Sequence, residues 1–294
     1  MKIGIYGHFF QPGSQDYIQT LLEELHKHHA NIYIEESYYN ALKGYINSER
    51  DYDTFASYAD LDSSFDLFFS IGGDGTILRT VLYVRSLGIP ILGINAGRLG
   101  FLATVQKEDI KKAVNSIVNK EYDVVERSLL QVSTSPRKDA FGDLNFALNE
   151  IAVSRKNTTS MITVATYLND EYLTSYWADG LIVATPTGST GYSLSCGGPV
   201  IAPSTSSIVL TPIAPHNLNA RPLVIPDDTV IKLKVSGREE KYLVSLDSRI
   251  ATIDNDTELI IKKAAFTIRM VTLRSESFLK TLRKKLLWGE DKRN

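Results

Sequence analysis

The sequence predicts an α/β N-terminal domain with a parallel sheet, then a predominantly β C-terminal domain, and a C-terminal helix that returns to the first domain. Three observations carry this prediction. Strand and helix patterns alternate in the first third of the chain, apolar residues alternate with period two after about Tyr122, and the last twenty residues return to helical spacing. We expect the boundaries to fall at residues 1–122, 123–273 and 274–294.

The first third reads as strands and helices in turn. Apolar runs predict strands at 2–6, 31–34, 65–71 and 89–94, and helical spacing predicts helices at 16–29, 76–87 and 107–119. In the first of these helices, Ile18, Leu21 and Leu25 fall on one face. Such alternation is typical of a parallel sheet covered by helices.

The second part of the chain reads as strands. In residues 230–235, apolar side chains alternate with lysines, as in a strand with one buried face. Residues 161–168 and 172–177 flank Asn169-Asp170, which predicts a hairpin. Residues 262–273 predict a further strand. The final segment carries Phe278, Leu282 and Leu286 beside a basic face, and we interpret it as a packing helix with solvated lysines.

Composition limits the class of protein. The 294 residues carry a formal net charge of −2. The sequence therefore has no excess of positive charge that would attract nucleic acid or an anionic membrane. The single cysteine, Cys196, excludes an internal disulfide and fits a reducing compartment. No signal peptide and no apolar run of membrane-spanning length is apparent. We therefore expect a cytoplasmic protein that binds neither nucleic acid nor membranes.

A glycine-rich turn follows the predicted strand at 65–71 and reads Gly-Gly-Asp-Gly-Thr from Gly72 to Thr76. The helix that leaves it points free backbone amides at the turn, and these amides favour anions. Asp74 has two interpretations: an N-cap of the helix, or a base that takes a proton from an attacking hydroxyl in phosphoryl transfer. The Walker loop and the GxGxxG fingerprint of dehydrogenases are both absent from the sequence.

A second polar loop follows the apolar strand at 181–184. It is rich in Thr, Ser and Gly and contains Tyr192. Glycine lets a ligand approach the backbone closely, and hydroxyls both donate and accept hydrogen bonds. Taken alone, this loop is equally consistent with a bulged turn of a β domain.

Four motifs together resemble the NAD kinase family. They are GGDGT at 72–76, Asn149-Glu150, ADGLIVATPTGSTGY at 178–192 and ARPLVIP at 220–226. The resemblance implies a two-domain enzyme that uses ATP with a divalent metal, Mg²⁺, to phosphorylate NAD at the 2′-hydroxyl of its adenosine ribose, forming NADP. It also implies a homo-oligomer, either a tetramer or a dimer.

The resemblance assigns roles around the glycine turn. Asp74 corresponds to the base that acts on the ribose hydroxyl, and the backbone of Gly75 packs against the dinucleotide. Arg79, one helical turn further on, either supplies positive charge to phosphates or is a surface cation of the helix. No residue is assigned as a metal ligand.

The resemblance also assigns roles in the second domain. Asn149 and Glu150 correspond to the pair that hydrogen-bonds ribose hydroxyls, and Asp179 to the residue at the nicotinamide end. The stretch that surrounds the adenine matches Thr190, Gly191, Tyr192 and Ser195, with Thr187 and the backbone of Ser193 and Leu194 nearby. A tyrosine in such a stretch can stack on the base.

The sequence departs from the family pattern in three places. Gly191 stands where alanine is usual, Trp177 where many relatives carry a basic residue, and Asp247-Ser248-Arg249 where Asp-Gly-Gln is frequent. These departures leave the reaction class unchanged. They leave open the preference for NAD over NADH and any feedback by the product.

Two other functions remain open at this point. A lipid kinase shares the GGDGT turn but should lack the Asn149-Glu150 pair and the GSTGY stretch. A non-catalytic dinucleotide sensor should lack the carboxylate of the turn, whereas Asp74 is present.

The histidines and the cysteine give weaker evidence of a functional role. His26, His28 and His29 lack partners at metal-ligand spacing, and we interpret them as a solvated helix face. We interpret His216 as a structural residue near the site, and Cys196 as a packing residue of the loop.

Overall fold

The computed structural model describes residues 1–8, 15–46, 51–138, 140–157 and 160–288. The chain divides into two units. Unit 1 comprises Met1–Glu126 and Ile268–Asn294, and unit 2 comprises Arg127–Thr267. Residues 289–294 of the predicted C-terminal segment lie outside the described residues.

Unit 1 has a parallel sheet. Its strands are β1 (Lys2–Gly7), β2 (Asn31–Glu35), β3 (Asp53–Phe55), β4 (Leu67–Ile71), β5 (Ile91–Asn95) and β6 (Val105–Gln106). Its helices in this part of the chain are α1 (Gln15–Lys27), α2 (Glu36–Leu42), α3 (Asp74–Val84) and α4 (Ile110–Val118). The strands run in the order β5-β4-β1-β2-β3, and every pairing is parallel. The predicted α/β architecture is confirmed.

The burial in unit 1 follows the sequence pattern. Ile18, Leu21 and Leu25 of α1 are 0–2% exposed and lie in the same core as β1 and β4, as their helical spacing requires. The boundaries of α3 differ from the prediction, since the helix begins at Asp74 and ends at Val84. The helix ends there because Arg85 takes a positive φ of 43° that an α-helix does not accommodate.

Unit 2 is built from strands. They are β7 (Tyr122–Ser135), which begins in unit 1, then β8 (Phe146–Ala147), β9 (Glu150–Arg155), β10 (Ile162–Leu168), β11 (Glu171–Ala178), β12 (Gly180–Ala184), β13 (Ser207–Ile213), β14 (Leu223–Pro226), β15 (Ile231–Gly237), β16 (Lys241–Leu246), β17 (Arg249–Asp254) and β18 (Glu258–Leu273). A short helix, α5 (Tyr192–Ser195), follows β12.

Two antiparallel arrangements enclose the core of unit 2. One runs in the order β14-β13-β12-β9-β16-β17, and the other contains β11-β10-β15 and the first residues of β18. The predicted β-rich character of this part is confirmed. The predicted hairpin is also confirmed, because Asn169 and Asp170 join β10 to β11 with positive φ values of 49° and 67°.

The end of the chain belongs to unit 1. Met270, near the end of β18, pairs in parallel with Ile91 of β5. Helix α6 (Phe278–Leu286) follows, with the Ser277 side chain as its N-cap, and it buries Leu282. The predicted C-terminal helix is therefore confirmed. Among the described residues, the helices are too short or too polar to cross a bilayer.

Candidate active site

The glycine turn lies between β4 and α3. Gly72 has a φ of 149°, and a Cβ added there would collide with the Thr76 side chain, so this position requires glycine. Gly73 is the N-cap of α3 and, having no side chain, cannot cap the helix by a side-chain hydrogen bond. Without a side-chain cap, the first two amides of α3, those of Asp74 and Gly75, are left for an anionic ligand, whereas the Thr76 amide donates to the Gly73 carbonyl at 2.9 Å.

Asp74 is the first residue of α3, and its carboxylate is held by a distant loop. Oδ2 accepts a hydrogen bond from the Phe101 amide at 2.8 Å. Oδ1 accepts from the amides of Leu102 and Ala103 at 3.0 and 2.9 Å. The N-cap interpretation of Asp74 is thus wrong, because Gly73 holds that position. Since each carboxylate oxygen accepts about two hydrogen bonds, Oδ2 keeps one acceptor position that no described residue fills.

The sequence did not predict the loop whose amides donate to the Asp74 carboxylate. It follows β5, where the Asn95 side chain is buried, accepts from the Gly97 amide at 2.7 Å and donates to the Arg98 carbonyl at 2.5 Å. Gly100 lies so close to the Asp74 carboxylate that a Cβ would collide with it. The signal in the sequence was the Asn-Ala-Gly-Arg-Leu-Gly run directly after a buried strand, which resembles the glycine turn after β4.

A cavity of about 220 Å³ opens beside the glycine turn. The segments that line it follow the carboxyl ends of β4 and β5 and include one residue of α1. The lining residues are Tyr17, Ile71, Gly72, Gly73, Thr76, Asn95, Ala96, Gly97 and Arg98. In the strand order β5-β4-β1-β2, the direction of the connections reverses between β4 and β1. Ligands of open α/β sheets bind at such a reversal, outside the carboxyl ends of the strands.

Arg79 is not among the residues that line this cavity. Its guanidinium group hydrogen-bonds the Tyr6 hydroxyl, and its charge acts on His8. The Glu35 carboxylate of this neighbourhood accepts from the Tyr38 amide at 2.8 Å and from the Tyr83 hydroxyl at 3.4 Å. Burial, with the Glu35 charge, raises the pKa of Tyr83 to about 12. The phosphate-binding role of Arg79 stays a prediction.

In unit 2, Asn149 and Glu150 stand at the start of β9. Asn149 Oδ1 and Glu150 Oε2 are buried and have no hydrogen-bond partner within the described part of the chain. Burial and the nearby charge of Asp247 raise the pKa of Glu150 to about 8, although the Tyr192 amide opposes this effect. Unpartnered buried oxygens are costly and indicate a missing hydrogen-bonding ligand.

The polar loop after β12 packs directly behind this pair. Thr185 donates its hydroxyl to the Leu148 carbonyl at 2.6 Å and its amide to the Asn149 carbonyl at 2.9 Å. Gly188 meets the Asn149 backbone so closely that a Cβ would collide with it. The structure therefore brings the predicted loop and the predicted pair together.

The residues of this loop differ in which of their groups a ligand can reach. The Ser193 hydroxyl is 2.8 Å from the Thr211 hydroxyl and buried, so only the backbone of Ser193 remains for a ligand. The Thr190 hydroxyl bonds the carbonyl of Thr187, whose side chain is buried. The exposed or half-buried members of the loop are Thr190, Gly191, Tyr192, Leu194 and Ser195.

Gly191 and Tyr192 lie at the carboxyl group of Glu150. A Cβ added to Gly191 would lie 3.1 Å from Glu150 Oε2, a contact that alanine makes only if its neighbour yields slightly. Tyr192 is 45% exposed. Its hydroxyl hydrogen-bonds Cys196, and burial raises the pKa of that thiol, which suits a packing role.

Asp179 follows β11 and forms an ion pair with Arg155, at 3.0 Å between Oδ2 and the guanidinium. The aromatic residues of this hairpin separate into two groups. Tyr176 is buried within unit 2, whereas Tyr172 and Trp177 are 55% and 51% exposed.

His216 donates its amide to the Trp177 carbonyl at 2.8 Å, and the two ring centroids are 5.5 Å apart. His216 therefore has the structural contacts that the sequence predicted.

Of the three histidines that the sequence placed on one helix face, His26 belongs to α1, whereas His28 and His29 follow its last residue, Lys27. His26 stacks on Tyr52, with ring centroids 5.5 Å apart. Within the described residues, no group of three or more His, Cys, Asp or Glu side chains is arranged to hold a metal ion.

Two family models match the chain. The ATP-NAD kinase N-terminal domain model matches residues 3–122, and the ATP-NAD kinase C-terminal domain model matches residues 148–273. The NAD kinase of Christiangramia forsetii is 62% identical over 294 residues, covering 100% of both chains. The NAD kinase of Bacteroides fragilis strain ATCC 25285 is 42% identical over 293 residues, again covering 100% of both chains.

Solved structures share the fold. Yeast NADH kinase in complex with NADH superposes with a TM-score of 0.85 at 24% identity, covering 99% of this chain and 88% of that one. An NAD kinase from Archaeoglobus fulgidus in complex with ATP has a TM-score of 0.75 at 29% identity, covering 98% and 99%. With both domain models matched and full-length relatives above 30% identity, the chain belongs to the NAD kinase family.

Proposed function

We propose that Asp74 is the base in the ATP-dependent phosphorylation of NAD to NADP that this chain carries out as a member of its family. The observation that carries the proposal is the fixed carboxylate at the start of α3, which three amides hold while Oδ2 keeps a free acceptor position. A base held in this way needs no reorganisation when the substrate binds.

The proposed reaction is a single phosphoryl transfer. The oxygen of the 2′-hydroxyl on the adenosine ribose of NAD attacks the γ-phosphorus of ATP. The hydroxyl proton passes to Asp74 Oδ2, the bond from phosphorus to the β,γ-bridging oxygen breaks, and ADP leaves. Positioning and charge stabilisation supply most of the rate enhancement in such transfers.

The donor side of the site is proposed at the glycine turn. The amides at the start of α3 and the cavity of about 220 Å³ beside them suit a phosphate chain, because this end of a helix favours anions. Thr76 offers a hydroxyl to the same cavity and Arg98 a positive charge. Arg79 is retained as a further candidate for the phosphates.

A divalent metal fits this donor side if it arrives with ATP. Mg²⁺ is usually bound through substrate phosphates, water and one or two carboxylates rather than by a cage of protein side chains. The free acceptor position of Asp74 is assigned to the ribose hydroxyl, so the ion would be held through the phosphates and water. When bound, the ion withdraws negative charge from the phosphates that react.

The acceptor side is proposed in unit 2, on the predicted NAD-binding segment 123–273. The unpartnered oxygens of Asn149 and Glu150 receive the ribose hydroxyls, and the exposed Tyr192 stacks on the adenine. The exposed hydroxyls and backbone of the loop complete the adenine site. Asp179 holds the nicotinamide end, for which it must exchange its ion pair with Arg155 or use its second oxygen.

The assembly and the compartment belong to the same proposal. Tyr172 and Trp177 are exposed on the edge strand β11, and exposed aromatic side chains are enriched at subunit interfaces. We propose a homotetramer or homodimer in which this hairpin is covered. A single cysteine is consistent with a cytoplasmic protein.

The test is a coupled assay with purified protein, ATP, MgCl₂ and either NAD or NADH, with NADP or NADPH detected by a specific dehydrogenase. Formation of NADP is expected from the wild-type chain, and at a rate lower by roughly 10²–10⁴ from Asp74→Asn. A diacylglycerol-containing vesicle in place of NAD tests the lipid kinase alternative. Tight NAD binding without any turnover would favour the sensor and contradict the proposal.

A further inference from the structure

The turn between β16 and β17 holds the Asn149-Glu150 pair in place. The Asp247 carboxylate accepts hydrogen bonds from the amides of Leu148, Asn149 and Glu150 at 3.0, 2.8 and 3.2 Å. In return, the Asp247 amide donates to the Glu150 carbonyl at 3.0 Å. Four hydrogen bonds from one residue thus fix the backbone that carries both candidate ribose-binding side chains.

Arg249 holds the same segment from the other end of the turn. Its guanidinium donates to the carbonyls of Leu144 and Phe146 and lies over the Phe146 ring, 5.5 Å from the centroid. The backbone from Leu144 to Glu150 is therefore held at one end by Arg249, the first residue of β17, and at the other by Asp247 of the turn before it. The arginine is one of the departures from the family pattern, and these contacts give it a structural reason.

Asp247 is also a negative charge beside Glu150. Burial and the Asp247 charge are the two influences that raise the pKa of Glu150 to about 8. Burial raises the pKa of Asp247 itself, while the three amides that it accepts and the Arg249 guanidinium oppose that rise. The other groups that face this pair are the Tyr192 amide, which lowers the pKa of Glu150, and the Tyr192 hydroxyl. Among these groups, only Asp247 adds a negative charge to the surroundings of Glu150.

We propose that Asp247 is a positioning residue of the dinucleotide site: it fixes Asn149 and Glu150 for the ribose hydroxyls, and its charge sets the pH range over which the site binds NAD. This inference rests on the proposed function, because it takes NAD as the ligand of the pair. Asp247 is not proposed to contact NAD; it affects binding through Asn149 and Glu150.

The experiment measures NAD affinity by calorimetry between pH 6 and pH 9.5 for three variants. Asp247→Asn removes the charge, and one of its two acceptor oxygens becomes a donor facing a backbone amide. We expect the Kd for NAD to rise about tenfold or more, as for a lost hydrogen bond to a charged group. The midpoint of the pH dependence should fall by about one unit, because a like charge has been removed.

Asp247→Glu keeps the charge but misplaces the carboxylate. We expect a raised Kd with a wild-type midpoint, which separates placement from charge. Asp170→Asn is the matched control: it makes the same substitution in another hairpin turn, at a residue with a similarly positive φ, but exposed and paired with Lys232. It should change neither the Kd nor the midpoint.

Kinetics add a readout that a merely structural role would not move. In Asp247→Asn the KM for NAD should rise while the KM for ATP stays within about twofold. Should that variant fail to give a wild-type circular dichroism spectrum, Asp247→Ser removes the same charge with a side chain that still accepts one amide hydrogen bond.

The outcomes are distinguishable from those of the proposed function. If the wild-type chain forms NADP but a folded, charge-removing variant binds NAD with wild-type Kd and midpoint, the role of Asp247 is overturned and the function stands. If the wild-type chain neither binds nor phosphorylates NAD, the proposed function fails first.

Discussion

The Asp74 carboxylate accepts a hydrogen bond from the Ala103 amide at 2.9 Å, although the two residues lie 29 positions apart in the sequence. The carboxylate of the glycine turn is therefore joined to the loop that follows the neighbouring strand β5. A base that must meet a hydroxyl at hydrogen-bond distance benefits from such a fixed position, because misplacement by an ångström is costly.

Asp74→Asn should reduce turnover by roughly 10²–10⁴, the usual contribution of a positioned general base. The amide still accepts from one side of the loop, so we expect the fold to persist. Steady-state NADP formation measures the effect, and circular dichroism checks the fold.

Asp60→Asn is the control for that loss. The Asp60 carboxylate also accepts backbone amides, from Ala56 and Ser57 at 2.9 and 2.8 Å, but it lies outside the candidate site. Turnover should be unchanged in this variant. Near-normal turnover in a folded Asp74→Asn protein would leave Asp74 only as a support for the loop.

Gly75→Ala should separate ligand contact from stability. A Cβ at Gly75 meets no atom within 4 Å, and alanine is favoured over glycine in helices by up to about 1 kcal/mol. We therefore expect an unchanged or higher Tm together with a weaker NAD or ATP interaction, since the methyl group would occupy ligand space. Gly44→Ala, where a Cβ is equally free, should leave both properties unchanged. Full activity in Gly75→Ala would remove this residue from the site.

Asn149→Ala should weaken NAD more than ATP. The Oδ1 atom of Asn149 is buried and unpartnered, as expected of a group that awaits a ribose hydroxyl. A lost hydrogen bond of this kind costs on the order of 1–3 kcal/mol, which is about 5- to 150-fold in Kd. Calorimetry with each nucleotide gives the comparison. A Kd for NAD that stays within twofold would exclude Asn149 from ribose binding.

Glu150→Gln should change how stability depends on pH. The folded pKa of about 8 is raised from an ordinary value of 4.5, so the wild-type protein keeps the full contribution below pH 4.5 and loses it as the pH rises towards 8. Each unit of pH in that window costs at most about 1.4 kcal/mol.

Glutamine does not titrate, so the variant should match the wild type near pH 4.5 and be more stable at pH 8. Urea unfolding at several pH values, without nucleotide, measures the difference. Parallel stability curves of the two proteins between pH 5 and pH 8.5 would show that Glu150 has an ordinary pKa.

Mixed oligomers test whether Asp179 acts across a subunit interface. Asp74→Asn and Asp179→Asn chains should each be nearly inactive. After subunit exchange, shared sites would restore part of the activity in the mixture. Light scattering of wild-type protein and of a Tyr172→Ser/Trp177→Ser variant checks whether the exposed hairpin holds the assembly. A fully active wild-type monomer would contradict this proposal.

The sequence predicted the structure correctly where the residues that determine an element lie close together in the chain. The helical spacing of Ile18, Leu21 and Leu25 predicted the buried face of α1, and Asn169-Asp170 predicted the hairpin turn that the structure contains. The glycine turn was found because a buried strand, glycines and a helix start follow one another in the chain. In these cases the determining interactions lie within a few residues.

The contacts that were missed are long-range. The hydrogen bond from the Leu102 amide to Asp74 spans 28 residues, and the one from the Asn149 amide to Asp247 spans 98. Both pair a side chain with a backbone amide. Every residue except proline has the same backbone N–H group. The sequence therefore does not indicate which amide will donate a hydrogen bond to a given carboxylate.

The path of β18 has a consequence for synthesis. Met270 pairs with Ile91, and Val271 and Leu273 lie in the same core as β1 and β4, so unit 1 is built from the two ends of the chain. Unit 2 is continuous, and a nascent chain contains all of it once residue 267 has left the ribosome. Unit 1 must wait with its last strand missing, and a fragment that ends at residue 126 never acquires that strand. The part of the protein that is made first is completed last.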